Sequence, residues 1–404
     1  ALVKSVLKSV MGNFSFLMVG ICTYHYRETF PFLFTQNIVH SPACEKKIHF
    51  DQRNKSFVFE TKEKEFTGKT FHRVLRFIQS VKKYGNSGKP NLIFSFESNI
   101  IFADKLTYII FECVCFSLVE QGYRIQLFIR PEPSILTYGV LSSPLLNLNH
   151  NDVEGFQERF NQIIDKIHYR RLIKTSSPKD YLSILTSDIA TFLKNNGLDM
   201  VSAYQLGEIS AELAGNSLEH GKSDCIVDID ISSTHEHEKE TGEFVGVNLS
   251  IINFSETKFG DLLEDNLENN FQNNKYQRLK EIYSTHEDYF SNEYPNKVFF
   301  TLASLQPKIS GQYRKSISGI GGLGTFRLLK ALREKSFEDS CYLLTSTHII
   351  RFLDGLFSTD DEWIGFNKEN DFLLPPDSEV ISKSPVDIPG VAYNLNFIIK
   401  MKEK

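Results

Sequence analysis

The sequence lacks the features that would identify a zinc site, a disulfide framework or a nucleic-acid partner. Its 404 residues contain six cysteines, and none forms a Cys-x-x-Cys pair or stands at zinc-ligand spacing from a histidine. We therefore expect reduced thiols, and Cys113 and Cys115 lie in an apolar segment that predicts a packing role. The formal net charge of -5 supplies no basic field, so we expect no nucleic-acid binding.

Long hydrophobic runs are also missing. The best candidate, FSFLMVGICTY near the N-terminus, is shorter than the ~20 residues of a membrane span. It soon reaches His25, Arg27 and Glu28, and it has no small-residue cleavage site typical of a secretory signal. We therefore expect a cytoplasmic protein without membrane association. The chain begins with Ala1, so we also expect it to be part of a longer product.

The composition that is present, 41% hydrophobic and 24% charged residues, is ordinary for a globular protein. The pattern predicts an α/β fold in three parts. Residues 1–88 have no assigned role, residues 89–150 form a small α/β module, and residues 151–404 form a larger domain. Within that domain, the polar and Asn-rich residues 256–318 show little periodicity, which is typical of a functional lid or a disordered insert.

Residues 89–150 have the pattern of a strand, a helix and a second strand. NLIFSF is followed by the long apolar segment FADKLTYIIFECVCFSLVEQG and then by RIQLFIR. Two strands joined by a helix of this length predict a βαβ unit with parallel pairing. The pattern resembles the STAS-like domains of bacterial regulatory proteins. The alternative is an ordinary α/β packing module.

Residues 151–404 begin with three predicted helices and a hairpin. The helices are DVEGFQERFNQIIDKI, DYLSILTSDIATFLKNNG and SAYQLGEISAELAGNSLEHG. DCIVDIDIS and FVGVNLSIINF then flank a polar loop, which is a hairpin signature. Beyond the polar segment, a glycine segment opens the helix TFRLLKAL, and SCYLLTSTH and YNLNFIIK follow as closing strands.

The third helix carries an unusual set of polar residues. Glu212 and Asn216 are one helical turn apart, so they lie near one side of the helix and flank its apolar stripe. That position favours side chains that face a cleft at the edge of the stripe, and the alternative is a solvated polar face. His220 falls inside the apolar arc, so we predict a packed or capping histidine.

The glycine segment SGIGGLG is suited to an anion. Glycines let backbone amides approach a phosphate, and the start of the following helix favours negative charge. Arg314 and Lys315 would offset phosphate charge, or else form a solvated basic pair. The literal match to the dinucleotide fingerprint G-x-G-x-x-G is weak, because that motif must follow a strand and GQYRKSIS is polar. The glycines concerned are Gly319, Gly321, Gly322 and Gly324.

The order and spacing of these motifs resemble the GHKL ATPase superfamily, most closely its anti-sigma-factor-like branch. The resemblance implies a Bergerat-type α/β sandwich, with helices over a mixed sheet, that binds ATP with Mg²⁺. It implies Glu212 as the general base that activates water and Asn216 as the Mg²⁺ ligand. It also implies phosphate-facing backbone at Gly319, Gly321, Gly322 and Gly324.

One motif departs from the superfamily. Its members have D-x-G-x-G after the strand, and the Asp accepts a hydrogen bond from the adenine amino group. This chain has Asn253-Phe254-Ser255-Glu256-Thr257 there. The oxygen of Asn253 still accepts one hydrogen bond, but its NH₂ does not accept. Phe254 and Thr257 add bulk where the backbone should approach the base, which predicts weaker adenine affinity or selectivity.

The resemblance implies a Mg-ATP-binding cytoplasmic regulator with ATPase or serine/threonine-kinase-like activity. Its partner would be another protein or a second copy of the chain. The alternative is a degenerate GHKL fold that serves as a non-catalytic interaction module. We expect no sensor histidine kinase, because no phosphoacceptor helix pair precedes the ATPase-like region, and no gyrase-like activity, because the transducer domain is missing.

Overall fold

A computed structural model shows two β-sheets and ten α-helices within the residues that it describes. The chain is therefore a mixed α/β protein, as its sequence predicts. Among these helices, none is long and apolar enough to cross a bilayer. The described residues are 49–84, 90–178, 180–235, 243–255, 259–268, 274–307, 309, 323–335 and 340–401.

The first sheet is built by residues 49–132. Its strands are β1 (His49–Asp51), β2 (Ser56–Thr61), β3 (Glu65–Phe66), β4 (Asn91–Phe102) and β5 (Arg124–Glu132). Strands β2, β3 and β5 all pair in parallel with β4, and β1 pairs antiparallel with β2. The crossovers are helices α1 (Gly68–Tyr84) and α2 (Lys105–Glu120). The predicted strand–helix–strand unit is confirmed. In addition, β2 joins the same sheet from the N-terminal side of the expected boundary at residue 88.

The second sheet has six described strands in the order β10-β11-β9-β8-β7-β6, and all of them pair antiparallel. The mixed sheet that the resemblance implied for this part of the chain is therefore wrong. A 3-10 turn (Tyr138–Ser142) and helices α3 (Leu145–Asn149) and α4 (Val153–Asn161) lead into it. The predicted hairpin is confirmed, since β8 and β9 pair with each other. The strands are β6 (Gln162–Ile164), β7 (His168–Ile173), β8 (Cys225–His235), β9 (Phe244–Asn253), β10 (Tyr342–Arg351) and β11 (Ile381–Lys400).

Six further helices belong to this second part of the chain. Two of them, α5 and α6, form the predicted helical pair, and α10 is the helix predicted after the glycine segment. A second 3-10 turn spans Glu287–Tyr289. The helices are α5 (Tyr181–Asn195), α6 (Met200–Glu219), α7 (Asp261–Glu268), α8 (Asn274–His286), α9 (Asn296–Ser304) and α10 (Leu323–Lys335).

Two stretches differ from the sequence-based expectation. The helix predicted to run to Ile167 ends at Asn161, and β6 and β7 follow, because Ile163 and most residues of β7 are buried against the rest of the sheet. Helices α7, α8 and α9 lie in the segment that showed little periodicity. Their buried residues, such as Leu279 and Phe299, are diluted in sequence by asparagines and charges.

The elements stack as sheet, helices, sheet, helices. One core lies between the second sheet and α5, α6 and α10, and a second core lies between the two sheets, around α1 and α2. Helix α2 is therefore enclosed on both sides, which explains why its sequence is apolar all round. Cys113 and Cys115 are fully buried in α2 and free of disulfides, as their predicted packing role requires.

The side chain of Lys105, the first residue of α2, is buried against the second sheet. Its Nζ lies 2.7 Å from Asp228 Oδ1 and 2.7 Å from Asp230 Oδ2, both on β8. It also donates to the backbone oxygen of Asn248 on β9 at 2.7 Å. All of these side chains are almost completely excluded from solvent. One ammonium group thus holds the start of α2 against two neighbouring strands.

Arg170 on β7 extends this contact into a buried ionic cluster. Its Nε donates to Asp228 Oδ2 at 2.5 Å, and its Nη2 donates to Glu112 Oε2 on α2 at 2.6 Å. His168 Nε2 lies 2.9 Å from Asp228 Oδ2, and its Nδ1 lies 2.5 Å from Ser142 Oγ. Three carboxyl groups therefore face a lysine, an arginine and an imidazole at a site buried from solvent.

Within the cluster, the pKa values of two carboxyl groups are shifted in opposite directions. Burial alone would raise the pKa of Asp228, but Arg170, His168 and Lys105 together hold that pKa well below its usual range. Burial raises the pKa of Glu112, although Arg170 opposes the change. Asp228 is thus the ionised centre of the cluster.

Removal of the charge at this centre should destabilise the fold strongly. Asp228→Asn removes the carboxylate that Lys105 and Arg170 share and leaves both buried side chains without it, so we expect a loss of about 3–5 kcal/mol in the free energy of unfolding. Urea denaturation of the wild type and of Asp228→Asn measures this loss. Asp165→Asn is the matched control, because Asp165 pairs with Arg159 in a half-exposed position and should have a much smaller effect. Equal losses in the two variants would contradict a central role for the cluster.

The same centre predicts how stability depends on pH. Because the pKa of Asp228 is lowered in the folded chain, its contribution is present above the ordinary aspartate pKa of about 4 and is lost as the pH falls further. The contribution of Glu112 to stability depends on pH in the opposite direction, because its pKa is raised on folding. We expect the stability difference between the wild type and Asp228→Asn to shrink from pH 6 towards pH 3. A difference independent of pH, measured by urea midpoints, would contradict the assignment.

Candidate functional site

Helix α6 has well-defined ends. Its N-cap is Asp199, whose side chain accepts hydrogen bonds from the backbone N–H groups of Val201 and Ser202 at 2.9 and 3.0 Å. His220 is the C-cap residue and donates its backbone N–H to Asn216 O at 2.9 Å. The capping position of His220 matches one of the two roles predicted for it. The helix therefore presents all of ELAGNSLE in regular geometry.

Glu212 and Asn216 lie at the border of the buried face of α6. Both side chains are half-buried, whereas their neighbours Leu213 and Ala214 are inside the core. This is the arrangement expected of polar groups that flank an apolar stripe. Among the described residues, none makes a hydrogen bond with the Asn216 side chain. The amide of Asn216 is thus placed to meet a ligand or solvent.

Helix α10 runs antiparallel along α6. At the end of α10, Lys335 Nζ donates to Ser202 Oγ at 2.9 Å and to Gln205 Oε1 at 3.1 Å, near the start of α6. Two turns earlier, Arg327 Nη1 lies 3.3 Å from Glu208 Oε2. The Arg327–Glu208 pair is about half exposed and contributes little stability, but it fixes the alignment of the helices.

This alignment brings the start of α10 to Glu212. From Lys335 to Arg327 the contacts on α6 advance from Ser202 and Gln205 to Glu208. At the helical rise of about 1.5 Å per residue, the first turn of α10, which contains Gly324, comes level with Glu212. The N-terminal end of α10, which carries the partial positive charge of a helix start, is therefore at the same level along α6 as Glu212.

Five of the predicted site residues fall outside the described part of the chain. In the sequence they precede α10. They are Arg314, Lys315, Gly319, Gly321 and Gly322.

Asn253 lies at the end of β9 with its side chain on the α6 side of the sheet. Ile251, two residues earlier, belongs to the core that contains α6, and Ile252 belongs to the other core. Asn253 Oδ1 accepts the backbone N–H of Val391 on β11 at 2.8 Å. Asn253 is only 3% exposed. The sequence analysis missed Val391, which is 138 residues further along the chain.

Two glycines allow the backbone to close around Asn253. A Cβ on Gly390 would stand 2.4 Å from Asn253 O, and the φ of +87° at Gly390 is one that glycine adopts without strain. A Cβ on Gly221, just beyond α6, would stand 2.6 Å from Asn253 Nδ2. A glycine inside the strand pattern of β11 was the available signal for this close approach.

Phe254 does not lie where the sequence analysis placed it. Its side chain is 2% exposed and belongs to the core between the two sheets, on the opposite face from Asn253. Ser255 follows and donates its Oγ–H to Gly221 O at 2.6 Å. The expected bulk of Phe254 beside the base is therefore wrong, because strand alternation turns this side chain towards α2. Thr257 lies outside the described residues.

No group of three or more His, Cys, Asp or Glu side chains suited to a metal ion occurs among the described residues. A surface depression of about 690 Å³ lies elsewhere, lined by residues that include Tyr283, Phe290 and Asn296. It contains none of the predicted site residues.

Comparisons of the chain with protein-family models, with curated proteins and with solved structures found no match.

Proposed function

We propose that the chain binds a nucleoside triphosphate with Mg²⁺, ATP being the nucleotide of the superfamily that it resembles. The site would lie between the end of α6, the start of α10 and the end of β9, in a Bergerat-type sandwich. One observation carries the proposal: α10 runs antiparallel along α6. This alignment supports a helix start, preceded in sequence by a glycine segment, at the level of Glu212, and such helix starts favour phosphate.

Asn216 fits the role of the Mg²⁺ ligand. Mg²⁺ prefers oxygen ligands, keeps several waters and is often held by one or two protein oxygens together with phosphates. The half-buried amide of Asn216 has no hydrogen-bond partner among the described residues. Its oxygen is therefore available to the ion, and no carboxylate cluster is required. Arg314, Lys315 and the glycines before α10 would meet the phosphates.

Glu212 is the proposed general base. It lies one turn before Asn216 on the same side of α6, so it would face a water beside the phosphate that Asn216 positions through the ion. The activity proposed for this arrangement is ATP hydrolysis or phosphoryl transfer to a serine or threonine of a partner. We propose a regulatory role in the cytoplasm, exerted on another protein or on a second copy of the chain.

The alternative proposal is a non-catalytic interaction module built on the same fold. The observation that favours it is the bond between Asn253 and Val391. The oxygen that would receive the adenine amino group is already engaged by a backbone N–H. In this alternative the second sheet and its helices serve only to present a surface to a partner.

The role of Asn216 predicts Mg²⁺-dependent nucleotide binding. Calorimetric titration of ATP into the full chain should show binding that requires Mg²⁺ and that weakens about tenfold or more in Asn216→Ala. Asn195→Ala is the control, because Asn195 is an exposed asparagine at the end of the neighbouring helix α5. If wild type gives no heat at millimolar ATP or any other purine triphosphate, the proposal fails and the interaction module is favoured.

The role of Glu212 predicts a separation of binding from hydrolysis. Glu212→Gln keeps the size of the side chain and removes the base, so we expect nucleotide affinity to persist and phosphate release to fall by about 10²- to 10⁴-fold. Glu219→Gln, an exposed position on the same helix, should retain activity. Full hydrolysis by Glu212→Gln, measured as released phosphate, would exclude this residue as the base.

A further inference from the structure

We infer that the surface depression between α8 and α9 is a docking site for an arginine side chain of a partner protein. The depression has a volume of about 690 Å³ and is lined by residues within 283–296. Neither Glu212 nor Asn216 belongs to it, so the inference does not depend on the proposed nucleotide site. An aromatic wall, a turn fixed by hydrogen bonds and an excess of carboxylates support it.

The aromatic wall consists of Tyr283 and Phe290. Both side chains line the depression and remain partly exposed. The ring of Tyr283 is stacked on Phe300 with their centroids 5.3 Å apart, and its centroid lies 5.6 Å from that of Phe290. Phe300 belongs to the buried core. The two lining rings are therefore held by packing, and the faces of such rings attract cations.

The polar side of the depression is a turn fixed by Ser291. Its Oγ accepts the backbone N–H groups of Glu293 and Tyr294 at 3.2 and 3.1 Å, and its own N–H donates to Tyr294 O at 3.0 Å. The hydroxyl of Tyr294 lies 2.7 Å from the buried His286 Nδ1, which anchors the turn. Residues 291–293 are themselves exposed, so this side is open to solvent. An open depression suits one side chain of a larger partner, because a small molecule needs enclosure.

Carboxylates outnumber cations around the opening among the described residues. Glu293 lines the depression and is exposed. Burial raises the pKa of Tyr283, and the negative charges of Glu287 and Glu264 raise that pKa further. Lys297 lies close enough to Glu264 to lower the pKa of its carboxyl group. Three carboxylates thus surround the aromatic wall against one lysine, which favours a cationic occupant.

Aromatic faces beside carboxylates favour arginine over other side chains. A guanidinium group is planar, so it stacks on a ring and at the same time donates from its edge to carboxylates. An ammonium group is a compact and strongly hydrated charge that gains less from stacking. A guanidinium over Tyr283 or Phe290 would have the carboxylates of Glu287 and Glu293 as acceptors at the rim. A neutral side chain would leave these carboxylates without a cation.

The first test compares two peptides that differ in one charge. A short fluorescently labelled peptide of glycines and serines carries a single arginine, and its analogue carries citrulline, which keeps the shape of arginine without the charge. In anisotropy titrations with the full chain, we expect the arginine peptide to bind with a Kd below about 1 mM and the citrulline peptide to bind about tenfold more weakly. Equal affinities, or no binding of the arginine peptide, would overturn the inference.

The second test places the peptide on the molecule. Glu287→Gln combined with Glu293→Gln changes two exposed side chains and should weaken binding of the arginine peptide about 5- to 10-fold. Glu158→Gln combined with Glu281→Gln is the matched control, because both residues are exposed, lie outside the depression and change the net charge equally. We expect the control to bind like wild type. Equal losses in the two double variants would assign binding to overall charge, and unchanged binding in both would remove it from the depression; either result contradicts the docking site.

Discussion

The ionised carboxylate of Asp228 holds the two halves of the molecule in one arrangement. Lys105 from α2 and Arg170 from β7 both reach it, and Arg170 continues to Glu112 on α2. Buried ion pairs often add little net stability, because desolvation offsets their attraction. Their geometry is demanding, however. A small shift of α2 relative to the second sheet would leave a charge without its partner, at a cost of several kcal/mol by the same principle.

The fixed position of α2 against the second sheet explains why both faces of that sheet are buried. An antiparallel sheet commonly exposes one face, yet every residue of β9 is buried. One face packs on α6, and the other packs on the layer that contains α2. The polar side chain of Asn248 on that second face does not meet solvent, since it donates to Asp230 Oδ1 at 3.0 Å beside the cluster. Alternation along the strand therefore separates a buried apolar face from a buried face on which Asn248 and the apolar Ile252 both lie.

Individual helices, strands and hairpins could be predicted from the sequence, but the contacts between residues far apart in the chain could not. Helices α2 and α6, the β4–α2–β5 unit and the β8–β9 hairpin follow from periodicity and turn chemistry. The cluster does not, because Lys105, Arg170 and Asp228 look like ordinary charges until the fold brings residues 123 positions apart together, as it does for Lys105 and Asp228. The bond from Val391 to Asn253 is of the same kind. This contact was therefore not predictable from the motif around Asn253 alone.

The end of β9 connects the candidate site with the rest of the molecule. Asn253 faces α6 and is held by Val391, while the next residue, Phe254, packs in the core between the sheets. The cluster at Asp228 fixes the same layer on the neighbouring strand β8. Because protein interiors are dense, the end of β9 is therefore left with few alternative positions between α6 and the layer that contains α2.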